Sequence, residues 1–149
     1  MFKLSISLER ERLFFVILTM AILLPVAVFA GTEIAPVKTQ ILLRATSAWN
    51  NVPYGAYPAG SPEITVLRMT VQAHSELPWH THPMPNAAYV VSGDITVEQE
   101  NGVKRHFTAG EVIPETVNTL HRGTVGDQPA EFIVFYAGVK DMPLSEKKK

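Results

Sequence analysis

The sequence contains no cysteine. That excludes disulfides, thiolate metal sites, thiol nucleophiles and a lipid anchored through sulfur. Net charge is also scarce: thirteen Lys and Arg stand against fourteen Asp and Glu in 149 residues, a formal net charge of −1. The basic excess that holds a phosphate backbone is missing, so no nucleic-acid partner is expected. Helical periodicity is absent from every window of useful length after residue 30. No internal repeat stands out, nor any Ser/His/Asp arrangement, phosphate-binding loop or pair of glycosidase carboxylates. What is plentiful is apolar residues, at 46%, enough for one globular core at this length. Eleven Pro and nine Gly suit short strands and turns rather than a helix bundle.

The first thirty residues read differently from the rest. Lys3, Arg10 and Arg12 make a basic start, diluted by Glu9 and Glu11. An uncharged run extends from Leu13 to Phe29 and ends in Val28-Phe29-Ala30. Small residues at the third and first positions before a cut fit signal-peptidase cleavage after Ala30. The rival reading is an uncleaved anchor, for which the run is slightly short. Either way the remainder is expected outside the cytoplasm, periplasmic or secreted, or tethered to the membrane if the segment stays. The expected organisation is a signal peptide or anchor over 1–30 and an N-terminal strand with a turn-rich loop over 31–62. A β domain over 63–138 and a C-terminal tail over 139–149, solvated and frayed at Lys147-Lys148-Lys149, complete it.

The remaining chain reads as strands. Gln40 to Leu43 is a short apolar run, and Glu63 to Val71 alternates like a half-buried strand. Its alternation slips near Val66-Leu67, which leaves either register or a bulge open. Ala87 to Val91 turns through Ser92-Gly93-Asp94 into Ile95 to Gln99. Asn101-Gly102 is a two-residue hairpin signal that returns the chain through Val103 to Phe107. Thr119 to Val125 and Glu131 to Ala137 are the last strands. A strand and a turn about every ten residues point to an all-β sandwich or barrel.

Five histidines are present, and His80 and His82 are the informative pair. On a strand, side chains two apart share a face, so both imidazoles can reach one ion. Pro78, Pro83 and Pro85 hold the segment extended. Gly93 lies eleven residues after His82, and His121 eleven after Gly110. The stretch from His74 to His121 resembles the cupin superfamily, whose first motif is Gly-x5-His-x-His-x3,4-Glu-x6-Gly and whose second is Gly-x5-Pro-x-Gly-x2-His-x3-Asn. Here the first reads His80-x-His82-x3-Asn86-x6-Gly93 and the second Gly110-x5-Thr116-x-Asn118-x2-His121-x3-Val125. The spacing is kept, while His74, Asn86, Thr116, Asn118 and Val125 stand where the family has Gly, Glu, Pro, Gly and Asn.

That resemblance implies a double-stranded β-helix, or jelly-roll, barrel. It also implies a metal held by His80, His82 and His121, with Asn86 at the fourth ligand position. Asn86 there can coordinate weakly through its carbonyl oxygen, orient a metal-bound water, or serve only as a turn residue. Three neutral imidazoles leave a divalent ion at a charge of about +2, which favours an anionic ligand in the open positions. Nitrogen donors suit Fe, Zn, Ni or Cu better than Mg or Ca. Thiol and diketone dioxygenases of the family are known for a three-His iron site, and this chain is similar in that respect. The expected function is therefore an exported metal-binding cupin acting on a small anionic molecule, as a dioxygenase or a metal-assisted isomerase or hydrolase. The alternative is a non-catalytic barrel for a sugar or aromatic acid, with a decayed metal site. Homodimerisation through edge strands is expected by resemblance alone. His74, as a group behind the ligands, and Glu115, as a substitute carboxylate, are weaker candidates; His106 is expected on an exposed strand face. Trp79 and Tyr89 are expected to line the barrel or pack at its rim.

Overall fold

The computed structural model describes residues 37–148; the expected signal segment, 1–30, lies outside them. Contacts along the chain separate a first unit, ending at Lys38, from a second that begins at Thr39 and carries every strand of the fold. Among the described residues no helix is present that is long and apolar enough to cross a membrane.

Among the described residues nine strands form two antiparallel sheets. In chain order they are β1 (Pro62–Val71), β2 (His80–Thr81), β3 (Asn86–Ser92), β4 (Asp94–Gln99), β5 (Lys104–Thr108), β6 (Val112–Pro114), β7 (His121–Val125), β8 (Ala130–Val139) and β9 (Glu146–Lys147). One sheet has the order β1-β8-β3-β6 and the other β5-β4-β7-β2-β9. Period-two alternation turns Val90, Ile95, Val97, Phe107, Ile113, Val125 and Phe132 into a common core, each buried. This is the all-β architecture expected from the strand and turn spacing, and the jelly roll that the cupin resemblance implies.

The open register of the first long strand resolves without a bulge. β1 pairs with β8 continuously from Pro62↔Val139 to Val71↔Ala130. Leu67, Met69 and Val71 pack against the core, while Ile64 and Val66 face outward and stay exposed. The irregularity lies instead in β3, where pairing with β8 shifts between Val90 and Ser92. Gly93 comes next, with φ 72°. A Cβ there would sit 2.6 Å from the Pro129 carbonyl oxygen and 2.8 Å from Ala130 Cα, so only glycine fits.

Two local expectations are corrected. Gln40 to Leu43 forms no strand, and Ile41, Leu42 and Leu43 are exposed; so short an apolar run found no edge to pair with. The C-terminal segment is not merely a solvated tail. Glu146–Lys147 pairs with His80–Thr81, and Met142 and Leu144 pack on the core. The Lys147 stretch pairs because β2 would otherwise leave one edge without hydrogen-bond partners.

Candidate metal centre

The three histidines of the motif converge between the sheets. His80 opens β2 and pairs directly with His121, the first residue of β7; cross-strand partners present side chains on one face. His82 lies two residues beyond His80 and shares that face. Ring centroids are 4.8 Å apart for His80 and His82, 4.5 Å for His80 and His121, and 5.2 Å for His82 and His121. One nitrogen from each ring lies within 4.8 Å of the other two.

Each ring is held by the nitrogen pointing away from that convergence. Nδ1 of His80 donates to the Pro78 carbonyl at 2.8 Å, and Nδ1 of His82 to the Leu144 carbonyl at 2.7 Å. Nδ1 of His121 donates to the Thr119 carbonyl at 2.8 Å, with Thr116 Oγ1 at 3.0 Å. A carbonyl only accepts, so each Nδ1 carries its proton and each Nε2 keeps a free lone pair. Burial favours the neutral rings further. It pushes His82 down to about 4, helped by the neighbouring His80 and His121. His80 and His121 are also lowered, chiefly by burial.

The facing wall carries oxygen. Asn86, at the start of β3, pairs with Tyr136 of β8. On its other side the Glu115 N–H donates to the Asn86 carbonyl at 3.1 Å, so Tyr136, Asn86 and Glu115 form one cross-strand row. The Glu115 side chain is 12% exposed, and its Oε2 lies 3.4 Å from His121 Nε2. Burial raises the Glu115 carboxyl to about 7, against a lowering by His80 and the Thr116 N–H. Burial and Glu115 together raise Tyr136 to about 12. Tyr54, from the turn-rich loop, donates its hydroxyl to the Glu115 carbonyl at 2.8 Å and so fixes that residue's backbone. The two walls enclose a cavity of about 60 Å³, closed further by Leu77, Ile95, Ile113 and Phe132.

The remaining sequence candidates fall elsewhere. His74 is exposed beside Asp127, and His106 is exposed beside Asp94. Trp79 lies under the Arg122 guanidinium at 4.9 Å; neither it nor Tyr89 lines the cavity. The departures from the motif acquire reasons. His74 and Asn118, which stand at two motif glycines, have φ 56° and 53°. The backbone keeps the left-handed turn, and Asn and His are among the residues that tolerate it. Thr116 is buried against the His121 ring, and Val125 has become core. Sequence reasoning missed Thr116 and the Leu144 carbonyl. Glu115 was only a weaker candidate, because the pairing that aims it inward joins β3 to β6, strands with two others between them in the chain.

The donors suit a divalent transition ion. His121 Nε2, Glu115 Oε2 and Asn86 Oδ1 are buried with no hydrogen-bond partner among the described residues. Among those residues neither Lys nor Arg lines the cavity to balance them, and unpaired buried polar atoms are costly. At 3.4 Å, the His121 and Glu115 atoms form no hydrogen bond. Their separation is that of neighbouring donors around one ion.

A β-barrel with converging imidazoles on one wall defines the class of small double-stranded β-helix proteins with a metal-type pocket. Residues 67–136 match the family described as a cupin domain, so this stretch of the chain is a cupin domain. Among solved structures it is similar to an uncharacterized conserved protein with a double-stranded β-helix domain from Klebsiella pneumoniae subsp. pneumoniae. That match has 20% identity and TM-score 0.51 over 71% of this chain and 84% of that one. It is also similar to a chain from the crystal structures of the DMSP lyases RdDddP and RnDddQII, at 19% identity and TM-score 0.51. There the match covers 58% of this chain but only 44% of that one. A third similar structure is the polyketide cyclase RemF from Streptomyces resistomycificus, at 18% identity and TM-score 0.50 over 60% of this chain and 63% of that one. At such identities the likeness establishes the fold. No curated protein matches the sequence.

Proposed function

We propose that this chain is an exported metal-binding cupin that acts on a small molecule. The observation that carries the reading is the set of three imidazoles whose Nδ1 protons are all committed to carbonyls, leaving three inward lone pairs. A nitrogen-rich set of this kind favours Fe, Zn, Ni or Cu. Such an ion, when bound, polarises a ligand oxygen as a Lewis acid.

The chain's own residues set the remaining terms. His80, His82 and His121 hold the ion, while Leu77, Ile95, Ile113 and Phe132 keep bulk water out. Asn86 Oδ1, unpartnered among the described residues, accepts a hydrogen bond from an O–H or N–H of the bound molecule. A cavity of about 60 Å³ has room for several water-sized groups, since one such group needs about 10–15 Å³ measured this way. The molecule is therefore small, or presents a small end. Three neutral imidazoles favour an anionic group at that end, such as a carboxylate or enolate. The reaction class we favour is dioxygenation, isomerisation or hydrolysis. The fold itself does not choose among them, and its structural neighbours include both lyases and a cyclase. The orphaned nitrogen and oxygens favour this reading over a barrel with a decayed site, because a decayed site has no reason to keep them unpaired. Export rests on the apolar run ending at Ala30. A mass beginning at Gly31 for protein recovered outside the cytoplasm is the expected result.

Elemental analysis of the purified protein beside a His80→Ala/His82→Ala variant tests the proposal. Near one equivalent of Fe, Zn, Ni or Cu, absent from the variant, is expected. No metal in the parent protein, even after reconstitution with each ion, would overturn it and favour the ligand-binding barrel.

A further inference from the structure

We infer that Glu115 supplies the metal's carboxylate ligand, moved across the β3–β6 pair from position 86; this rests on the three-imidazole reading of the site. Position 86 holds an amide, and the carboxylate sits directly opposite it. Ala87 pairs with Pro114, and the Glu115 N–H bonds the Asn86 carbonyl at 3.1 Å. Opposed residues of an antiparallel pair project to the same face with Cβ atoms about 4.5–5.5 Å apart. A carboxyl group can thus be supplied to one point from either position.

Three further observations converge on Glu115. Its Oε2 lies 3.4 Å from His121 Nε2, and neither atom has a hydrogen-bond partner among the described residues. Among those residues no lysine or arginine reaches the cavity to neutralise it, so a cation at the imidazoles is the partner this buried oxygen lacks. Its backbone is fixed on two sides, by the Asn86 carbonyl and by the Tyr54 hydroxyl at 2.8 Å. Glu115 stands outside the group whose atoms all lie within 4.8 Å of one another. Its three side-chain torsions let the carboxylate close on an ion without moving the strand. The exchange also gives Asn86 a separate role. Its Nδ2 is committed to the Met84 carbonyl at 3.2 Å, and its free Oδ1 is left for the bound molecule.

Cobalt(II) titration of the full-length protein tests the exchange, with affinity and the visible ligand-field spectrum as readouts. Glu115→Gln keeps the shape of the side chain, and thermal melts confirm that it folds. It is expected to weaken cobalt binding at least ~tenfold, the range seen when metal-site partners are removed, and to shift the spectrum. Asn86→Glu/Glu115→Gln, which returns the carboxylate to the opposite strand, is expected to recover affinity to within about threefold of the parent. Parent affinity and an unchanged spectrum in folded Glu115→Gln would overturn the inference while leaving the three-imidazole site intact. Failure of the double variant to recover would overturn the cross-strand equivalence. No cobalt uptake by the parent protein would remove the three-imidazole reading and the inference with it.

Discussion

The two walls of the cavity are built by different means. The nitrogen wall belongs to the β5-β4-β7-β2-β9 sheet, where His80 and His121 are cross-strand partners. The oxygen wall belongs to the β1-β8-β3-β6 sheet, where Tyr136, Asn86 and Glu115 stand side by side. Every imidazole has its outer nitrogen tied to a carbonyl. On the other wall, the Asn86 and Glu115 oxygens that reach inward are untied. The first wall is preorganised to bind an ion at fixed points. The second keeps free acceptors that adapt to what is bound. This barrel thus keeps the fixed imidazoles on one sheet and the untied carboxylate and amide oxygens that face them on the other.

The comparison breaks most visibly if the walls are altered one at a time. His121→Ala should lower metal affinity by more than ~100-fold, because it removes a ligand rather than a partner of one. Asn86→Ala should change it by less than about threefold, and isothermal titration with zinc distinguishes the two. An equal loss in both would mean that the oxygen wall ligates as firmly as the nitrogen wall. Thr116→Val removes the hydroxyl beside His121 Nδ1. About a tenfold loss of affinity is expected, with the fold retained.

The pH dependence of the metal-free protein sharpens the contrast, since the walls titrate in opposite senses. His82 has a folded value of about 4, below the usual 6.5. Its contribution is therefore fully present above pH 6.5 and is lost as pH falls toward 4, on the order of 3 kcal/mol. Glu115 has a folded value of about 7, above the usual 4.5. Its contribution is present below pH 4.5 and is lost as pH rises through 7. Metal-free Glu115→Gln should accordingly be more stable than the parent at pH 8, by on the order of 1–3 kcal/mol. Denaturant melts at pH 5 and pH 8 read both slopes. A parent-like stability of Glu115→Gln at pH 8 would mean that the carboxylate is solvated rather than buried.

A position away from both walls gives a control. Gly93→Ala should cost at least about 1–3 kcal/mol, through backbone strain and the clash with Pro129 and Ala130, with the metal affinity of the folded fraction unchanged. Thermal melts and cobalt titration together check it.

The same division explains what the sequence made legible. The nitrogen wall was readable because His80 and His82 are two residues apart, and strand periodicity alone puts them on one face. His121 was found from the resemblance to the second cupin motif, in which it stands eleven residues after Gly110. The oxygen wall depends on which strand lies beside which. Glu115 is 29 residues from Asn86 in the chain, and only the β3–β6 register makes them neighbours. Leu144 was invisible for the same reason, since its contribution is a backbone carbonyl delivered by a segment that reads as tail. The all-β class was legible from turn signals at Gly93, Asn101-Gly102 and Gly110, and the jelly roll from the resemblance to the cupin motifs. Gln40–Leu43 was misread because an apolar run does not reveal whether a free strand edge is available. His74 and Asn118 looked like losses from the motif, yet their backbone angles preserve its turns.

The most direct measurement is X-ray absorption on the zinc- or cobalt-loaded protein. The expected result is three imidazoles, counted from their outer-shell scattering, with ligands at about 2.0–2.2 Å and one further oxygen from the protein. An ion surrounded by water oxygens, or by a single imidazole, would contradict a three-histidine centre.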